Sequence, residues 1–371
     1  MTILAIALAG CGGVPMPRPP SPGPAVEARQ PGHERPVVGE SAENAVPSPA
    51  TRQSPAGLEG WHADGLVDLR GALEGQCALR RPPGDWAALC RELWTVPIGD
   101  AVGLRNWIAQ RFAARPLLSA SGQTTGLITG YHEPELQGSR VRSLRHPVPL
   151  HRVPERNRGS ARATRESIER GNLLQGDELV WLDDPVEAFF LHVQGAGRIR
   201  LTDGSVMRVG YAGDNGQAYR AVGSVLVARG AMRAHEVDAP AIKAWLRANP
   251  EAANRVMQSN PRYIYFRELT SLPTTAGPPG SLGVPLTPMR SIAVDPRRVP
   301  SGSLLWLETT DPIDGSPIRR LVVAQDTGAA IVGDVRADLF WGTGLRAAQG
   351  AGLMKQAGRL WLLEPVDRAG Q

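Results

Sequence analysis

The sequence has few of the residues from which metal and redox sites are built. Only three cysteines and seven histidines occur among its 371 residues, and no HExxH or paired C-x-x-C motif accompanies them. No nucleophile elbow is present. Gly195 and Gly197 form a lone glycine pair between apolar runs, where a tight turn is a simpler interpretation than a dinucleotide-binding loop. We therefore expect neither a metal nor a cofactor.

Lysine is nearly absent, because only Lys243 and Lys355 occur and arginine supplies the other positive charges. The formal net charge of +5 suits an anionic partner such as cell-wall polymer, lipid headgroups or nucleic acid, but it does not choose among them. The arginines are scattered and form no stripe with aromatic residues. This pattern argues against nucleic-acid binding.

Glycine and proline are abundant, with 42 and 33 residues, and turn formers at this density favour short strands over long helices. Single cores usually stop growing at about 250 to 300 residues. A chain of 371 residues is therefore expected to contain two core units.

An apolar segment that begins at Ile3 ends in Leu8-Ala9-Gly10-Cys11. This ending resembles the lipobox of bacterial lipoproteins, in which the cysteine is acylated and becomes the mature N-terminus. A degraded signal peptide or a chance apolar start is the alternative, because no basic residue precedes the segment. With a lipobox, residues 1–11 are signal and lipobox, and a lipid on Cys11 holds the chain on a membrane surface rather than across it. We expect this surface to be the periplasmic face of the outer membrane.

Residues 12–57 consist mainly of Pro, Ser, Ala, Gly and charged residues, with almost no large apolar side chain. We expect a disordered tether that lets a lipid-anchored body reach a polymer network. Cys77 and Cys90 form an even pair in a chain with export features. The oxidising periplasm favours a disulfide between them.

Apolar residues recur at helical spacing between 61 and 114, which predicts three amphipathic helices separated by Pro82-Pro83-Gly84 and Pro97. Short strand-like runs follow after Pro116, among them Phe189–Gln194. The turn at Asp203-Gly204 predicts a hairpin between the runs 198–201 and 206–209.

Helical periodicity returns at 217–229, 242–246 and 252–257. Strand-like runs then return at 291–294, 304–307, 321–324 and 359–363. The order helices, strands, helices, strands suggests one β domain inserted into another.

Two aspartates accompany apolar runs in the C-terminal third. A run ending at Gln325 delivers Asp326 onto a Thr-Gly turn, and Asp338 stands between Ala337 and Leu339. A carboxylate among apolar side chains is costly to ionise, so its pKa rises and it can act as a general acid near neutral pH. The alternative is that both aspartates only cap turns by binding backbone amides.

Several blocks of sequence stand in order between Trp61 and Pro365, namely Gly126–Pro134, Val193–Leu201, Val209–Gly216, Asn260–Tyr263, Gly283–Asp295 and Ala324–Gly328. Together they resemble the membrane-bound lytic murein transglycosylase A family. The resemblance implies a mainly β fold with flanking helices, in which a double-psi β-barrel carries three aspartates. A second small β-barrel domain is inserted into it, and the glycan lies in the groove between the two.

The implied domains are the first part of the barrel domain with helices at 58–131, the insert at 132–238, the second part of the barrel domain at 239–366, and a tail at 367–371. By the same resemblance Asp338 is the catalytic acid/base, supported by Asp326 and Asp295. Family members with the shortest loop hold the last two aspartates one residue closer, so Asp334 is the alternative to Asp338.

The residues that the resemblance places along the sugar groove are Tyr131, Glu133, Gln194, Gly195, Gly197 and Tyr211. His132 departs from the family pattern, which has Tyr there. The implied reaction is cleavage of the β-1,4 bond between N-acetylmuramic acid (MurNAc) and N-acetylglucosamine (GlcNAc) of peptidoglycan, with formation of 1,6-anhydro-MurNAc ends. We expect a monomer that binds glycan strands.

Two other functions remain open at this point. The segment around Asp326-Thr327-Gly328 also resembles the signature of aspartic peptidases, which need two such loops sharing a proton. Because the sequence has one loop, a peptidase would have to be a homodimer. A catalytically inert wall-binding module is favoured if Asp338 is exposed and remote from any groove.

Overall fold

A computed structural model of the chain describes residues 52–155 and 159–366. The lipobox with Cys11, the tether as far as residue 51 and the tail 367–371 lie outside the described residues. Residues 52–57, which were assigned to the tether, include ordered structure. Gln53 forms a bridge with Ala114, with backbone hydrogen bonds of 3.0 and 2.8 Å, and Pro55–Gly57 form a 3-10 turn.

The described helices are α1 (Leu69–Cys77), α2 (Trp86–Leu93), α3 (Ala101–Arg111), α4 (Arg165–Gly171), α5 (Pro185–Gln194), α6 (Val222–Ala228), α7 (Ala239–Ala248), α8 (Pro250–Gln258) and α9 (Gly344–Leu353). The described strands are β1 (Phe112–Pro116), β2 (Thr125–Tyr131), β3 (Glu135–Ser139), β4 (Val148–His151), β5 (Glu178–Leu182), β6 (Ala196–Leu201), β7 (Val206–Asp214), β8 (Ile264–Glu268), β9 (Ser291–Val294), β10 (Leu304–Thr310), β11 (Pro317–Asp326), β12 (Arg336–Phe340) and β13 (Lys355–Pro365). None of these helices is long and apolar enough to cross a bilayer.

The three helices predicted near the N-terminus are confirmed as α1, α2 and α3. Their apolar stripe packs against the outer face of β10, β11 and β13, where the rings of Trp61 and Trp306 lie 5.5 Å apart. Cys77 at the end of α1 and Cys90 in α2 form the predicted disulfide.

Six strands close into a barrel in the order β13-β10-β11-β9-β12-β2, because β2 pairs with both β12 and β13. β1 pairs with the far end of β13. The predicted β-barrel with flanking helices is confirmed, and each strand-like run of the C-terminal third lies in a barrel strand.

The side chains of the barrel strands alternate between the interior and the outer face. In β11, Val322 and Ala324 belong to the interior core, whereas Leu321 and Val323 pack beneath the N-terminal helices. A separate cluster that includes Ala293 covers the outer face near β9, β12 and β2.

A second sheet with order β4-β5-β3-β6-β7-β8 forms the insert, in which β4 and β8 also contact each other. The predicted hairpin is confirmed, because β6 and β7 pair antiparallel around a turn that contains Gly204. The insert extends beyond the predicted boundary at 238. Helices α6 to α8 share a core with α5, and β8, which ends at Glu268, pairs with β7.

The prediction of a strand at Phe189–Gln194 is wrong, because these residues belong to α5. Asp184 caps this helix by accepting a hydrogen bond from Val186 N over 2.7 Å, and Pro185 occupies its first turn. Gly195 ends the helix in the left-handed conformation, with φ 81°. The helix is buried on most sides, so its apolar run has no helical periodicity to detect.

Candidate active site

A row of four residues crosses four strands on the outer face of the barrel, namely Asp326, Ala293, Asp338 and Thr129. β11 brings Asp326 opposite Ala293 of β9, and β12 brings Asp338 opposite the same alanine. On the other side of β12, Thr129 of β2 lies opposite Asp338. Residues directly opposite one another in neighbouring strands point to the same face of a sheet. The two aspartates therefore share one face of the barrel.

Asp338 is held by a hydroxyl group and lies near one cation. Thr129 Oγ1 donates to Asp338 Oδ1 over 2.6 Å and accepts a hydrogen bond from Arg336 over 2.8 Å. Burial raises the pKa of Asp338 to about 6, although the Thr129 hydrogen bond and the Arg336 charge act to lower it. Its surface stays partly open to solvent. Asp338 can thus exchange a proton near neutral pH with a molecule bound on this face.

Asp326 is fixed by three donors. Its Oδ2 accepts from the hydroxyl of Tyr131 over 3.0 Å, and its Oδ1 accepts from the backbone amides of Ser281 and Thr327, both over 2.9 Å. Burial nevertheless raises the pKa of Asp326 above its ordinary value. The ring of Tyr131 is buried and packs on Phe340, with centroids 5.2 Å apart. Tyr131 thus orients Asp326.

Asp295 makes its contacts elsewhere. Its carboxylate accepts two hydrogen bonds from the guanidinium of Arg297, at 2.9 and 2.7 Å, and one from Gly333 N at 3.0 Å. The Arg297 hydrogen bonds are the largest cause that holds the pKa of Asp295 well below its usual range. Asp295 stays ionised, and it holds the segment that leads into β12 rather than contacting Asp338 through a side-chain hydrogen bond.

Asp334 lies in that same segment and pairs with Arg298 at 3.2 Å. Both side chains are partly exposed. Asp334 precedes β12 and lies outside the row, whereas Asp338 lies in it.

Comparisons with known proteins identify the family of the chain. The family model for the MltA specific insert domain matches residues 127–267, and the model for the 3D domain matches residues 290–364. The membrane-bound lytic murein transglycosylase A of Vibrio cholerae is 32% identical over 280 residues, which is 73% of this chain and 73% of that protein. The chain belongs to the membrane-bound lytic murein transglycosylase A family.

Solved structures resemble the fold over most of the chain. The lytic transglycosylase LtgG of Burkholderia pseudomallei is 44% identical with a TM-score of 0.60, covering 86% of this chain and 96% of that one. Escherichia coli MltA with bound chitohexaose is 27% identical with a TM-score of 0.64, covering 86% of this chain and 92% of that one.

Two of the groove residues that the transglycosylase A resemblance implied lie where the insert meets the barrel. Gln194 at the end of α5 accepts a hydrogen bond from His132 N over 2.9 Å, directly after β2. Next to it, Gly195 has open space where a side chain would stand. Burial, with the charge of Lys243, lowers the pKa of His132 to about 4, so this ring is neutral at neutral pH.

Glu133 and Gly197 do not line an open groove, and these two predictions are corrected. The carboxylate of Glu133 has no exposed surface and pairs with Arg198 at 3.0 Å and Arg208 at 2.9 Å. Glu133 therefore ties the chain after β2 to strands β6 and β7. Gly197 is buried, and an added Cβ would lie 2.6 Å from the side chain of Leu191, so its role is close packing.

Tyr211 lies on β7 and is half exposed. Its hydroxyl donates to Asp214 over 2.6 Å, and burial together with this hydrogen bond raises its pKa to about 12. Asp214 lines a cavity of about 1050 Å³ in the insert. Tyr211 is accessible to a ligand, but the hydrogen bonds of its hydroxyl do not connect it to the aspartate row.

The sequence interpretation missed Thr129, Arg336 and Tyr219. Thr129 stands inside a matching block, but only the pairing of β2 with β12 identifies its partner. Arg336 precedes Asp338 by two residues in one strand, a spacing that places both on the same face and could have been noticed. Burial raises the pKa of Tyr219, and the charge of Asp338 raises it further. The contact between insert and barrel near this face is the hydrogen bond from His132 N, directly after β2, to Gln194.

Proposed function

We propose that this chain is a lytic transglycosylase that cleaves the β-1,4 bond between MurNAc and GlcNAc in peptidoglycan and leaves 1,6-anhydro-MurNAc ends. The observation that carries the proposal is Asp338, a partly exposed carboxyl group on the outer face of the barrel, where burial raises its pKa to about 6. Such a group can both donate and recover a proton.

In the proposed mechanism Asp338 donates its proton to the glycosidic oxygen as the bond from that oxygen to C1 of MurNAc breaks. Positive charge develops on the sugar ring, and the ionised carboxylate lies beside it. The C6 hydroxyl of the same MurNAc then attacks C1 and gives its proton to Asp338. The attack is intramolecular, so no water has to be positioned and no second catalytic carboxylate is required.

The other two aspartates support Asp338 without touching the reacting atoms. Asp326, oriented by Tyr131, places a second carboxyl group on the same face and raises the pKa of Asp338. Asp295 fixes the segment before β12 through Gly333 N. Both roles keep the acid/base in place and protonated.

The substrate in this proposal is a glycan strand that lies between the barrel and the insert. On the insert side, Gln194 accepts a hydrogen bond from His132 N directly after β2, and Gly195 next to it leaves open space. The related Escherichia coli protein has been solved with chitohexaose, an oligosaccharide, which supports a glycan ligand for this chain as well.

Digestion of purified peptidoglycan sacculi, followed by mass spectrometry of the soluble muropeptides, tests the proposal. The expected products end in 1,6-anhydro-MurNAc and are lighter by one water than muramidase products. Reducing MurNAc ends would contradict the mechanism. Cleaved peptide stems with intact glycan would favour the peptidase alternative, and binding without any product would favour an inert wall-binding module.

We also propose that the chain is attached to the outer membrane from the periplasmic side through an acylated Cys11. The names of the relatives describe membrane-bound proteins, and the lipobox supplies a mode of attachment. Diacylglycerol plus an amide-linked chain provides the two hydrophobic anchors that stable attachment needs. Fractionation of cells that express the full chain should find it in membranes, and Cys11→Ala should release it. A soluble wild-type protein would refute the anchor.

A further inference from the structure

The strand that carries Asp326 contains one residue more than its partner. β11 and β9 run in parallel with Val323 opposite Ser291 and Ala324 opposite Ile292, and then the register shifts so that Asp326 lies opposite Ala293. Gln325 is the extra residue. It forms a β-bulge, a feature that often re-aims a side chain next to an active site.

The bulge determines whether the side chain of Asp326 points into the barrel or to its outer face. Val322 and Ala324 face the interior core, and Val323 faces the N-terminal helices. Regular alternation would continue with Gln325 outside and Asp326 in the apolar interior. The extra residue interrupts this alternation, so Asp326 stays on the outer face beside Ala293.

The side chain of Gln325 is buried and hydrogen-bonded to both α1 and β9. It has no exposed surface, and its Nε2 donates to the carbonyl of Ala72 in α1 over 2.7 Å. Its Oε1 accepts from the hydroxyl of Ser291 over 2.6 Å, and Ser291 in turn accepts from Thr287 N over 2.8 Å. Donor and acceptor are thus both satisfied, by α1 and β9.

The backbone of the bulge is held by residues 280–282 of one loop. The carbonyl of Gln325 accepts a hydrogen bond from Leu282 N over 3.1 Å, while Ser281 N donates to the carboxylate of Asp326. Gly280 permits this approach, because a Cβ there would lie 2.4 Å from the Gln325 carbonyl oxygen. The bulge and the carboxylate next to it are therefore bound as one unit.

We propose that Gln325 is a positioning residue for the reaction. Its amide holds the bulge in β11, the bulge keeps Asp326 in the row, and Asp326 acts on the acid/base Asp338. The inference rests on the proposed transglycosylase activity, but the positions of the two carboxyl groups can be measured without any turnover.

The test compares Gln325→Met with Gln76→Met. Methionine is close to glutamine in size and cannot make the amide hydrogen bonds. Gln76 is a matched control, because it is also fully buried and its Nε2 also ties α1 to the barrel, through the Gly302 carbonyl at 3.3 Å. Both variants should lose thermal stability. Only Gln325→Met should lower kcat, by about 10- to 100-fold, with little change in KM, because misplacement by about 1 Å has effects of that size.

The second readout is a carboxyl ¹³C NMR titration, which needs no substrate. In Gln325→Met, the charge of Asp326 should move away from Asp338, so the pKa of Asp338 should fall, whereas Gln76→Met should leave it unchanged. Ser291→Ala is a milder change that leaves the Gln325 side chain in place and removes the hydroxyl that donates to its Oε1 and accepts from Thr287 N. It should shift the pKa of Asp338 in the same direction by less. If Gln325→Met does not fold, Ser291→Ala serves as the test variant in its place.

A Gln325→Met or Ser291→Ala protein that loses stability but keeps the wild-type pKa of Asp338 would overturn the positioning role. If wild-type protein released no anhydro products while the NMR shifts followed Gln325, the proposed function would fail and the positioning role would stand. The two failures are therefore distinguishable.

Discussion

Asp326 and Asp338 lie on either side of one strand, both in register with Ala293 of β9. Two strand spacings, about 9.5 Å, separate their backbones. At this distance the charge of one carboxylate affects the other less than burial does, and burial is the largest cause that raises the pKa of Asp338. The row therefore holds one carboxyl group with a pKa near 6, assisted by a neighbour.

Replacing Arg336 by Met should move the pKa of Asp338 upward. The guanidinium charge lowers that pKa, and Arg336 also donates to the hydroxyl of Thr129 that binds Asp338. An acid that must be protonated then stays active to higher pH, so the basic limb of the kcat/KM profile should shift to higher pH. Arg298→Met, which removes the partner of Asp334, is the control. A shift to lower pH in Arg336→Met would contradict the assigned contact.

Glu133→Gln should strongly destabilise the protein. The change would leave the charges of Arg198 and Arg208 without their buried partner, which costs about 3 to 5 kcal/mol. Glu135→Gln is the matched control, because its pair with Arg200 is half exposed and is worth about 1 kcal/mol or less. Urea unfolding measures both. Equal losses of unfolding free energy in the two variants would show that the buried ion pairs of Glu133 contribute no more stability than the exposed pair of Glu135.

Asp338→Asn should make the protein more stable at neutral pH. The folded-state pKa of Asp338, about 6, lies above the ordinary value of 3.8, so its ionisation destabilises the native state as pH rises between these values. Removing the charge should recover about 1 to 3 kcal/mol at pH 8 and almost nothing below pH 4. Unfolding curves at both pH values would show this. A variant less stable than wild type at pH 8 would argue against the raised pKa.

Reduction of the disulfide between Cys77 and Cys90 should lower the melting temperature. The bond closes a short loop, with a sequence separation of 13, for which the chain-entropy estimate is about 3 kcal/mol. Differential scanning calorimetry with and without reductant measures the effect. An unchanged melting temperature would mean that α1 and α2 hold together without it.

The sequence predicted those parts of the fold that depend on local pattern. The N-terminal helices, the 198–209 hairpin and the C-terminal barrel strands all follow from periodicity and turn residues. The helix at Phe189–Gln194 was missed, although Asp184-Pro185 before it and Gly195 after it are signals for helix ends. Weight given to those signals would have corrected the prediction.

The contacts of the site depend on long-range pairing and were less predictable. The resemblance placed Glu133 in the groove. Its buried ion pairs with Arg198 and Arg208 could not be predicted from a local pattern, because these partners are 65 and 75 residues away. Thr129 is 209 residues from Asp338, and no local pattern connects the two. The apolar runs indicated Asp326 and Asp338, and the resemblance to the family added Asp295 and the expected roles of all three. The register that places Asp326 and Asp338 opposite the same alanine is a property of the folded barrel and could not be predicted from those runs.

The central claim, that Asp338 is the acid/base, is tested most directly by muropeptide analysis of Asp338→Asn beside Asp334→Asn. Asparagine keeps the shape of Asp338 and can accept the Thr129 hydrogen bond, but it cannot donate and recover a proton. The release of 1,6-anhydro-MurNAc products by Asp338→Asn should fall by about 10²- to 10⁴-fold or more, while its binding to sacculi stays intact. Asp334→Asn should release them at close to the wild-type rate. Near-normal release by Asp338→Asn, or loss of release in Asp334→Asn alone, would contradict the account.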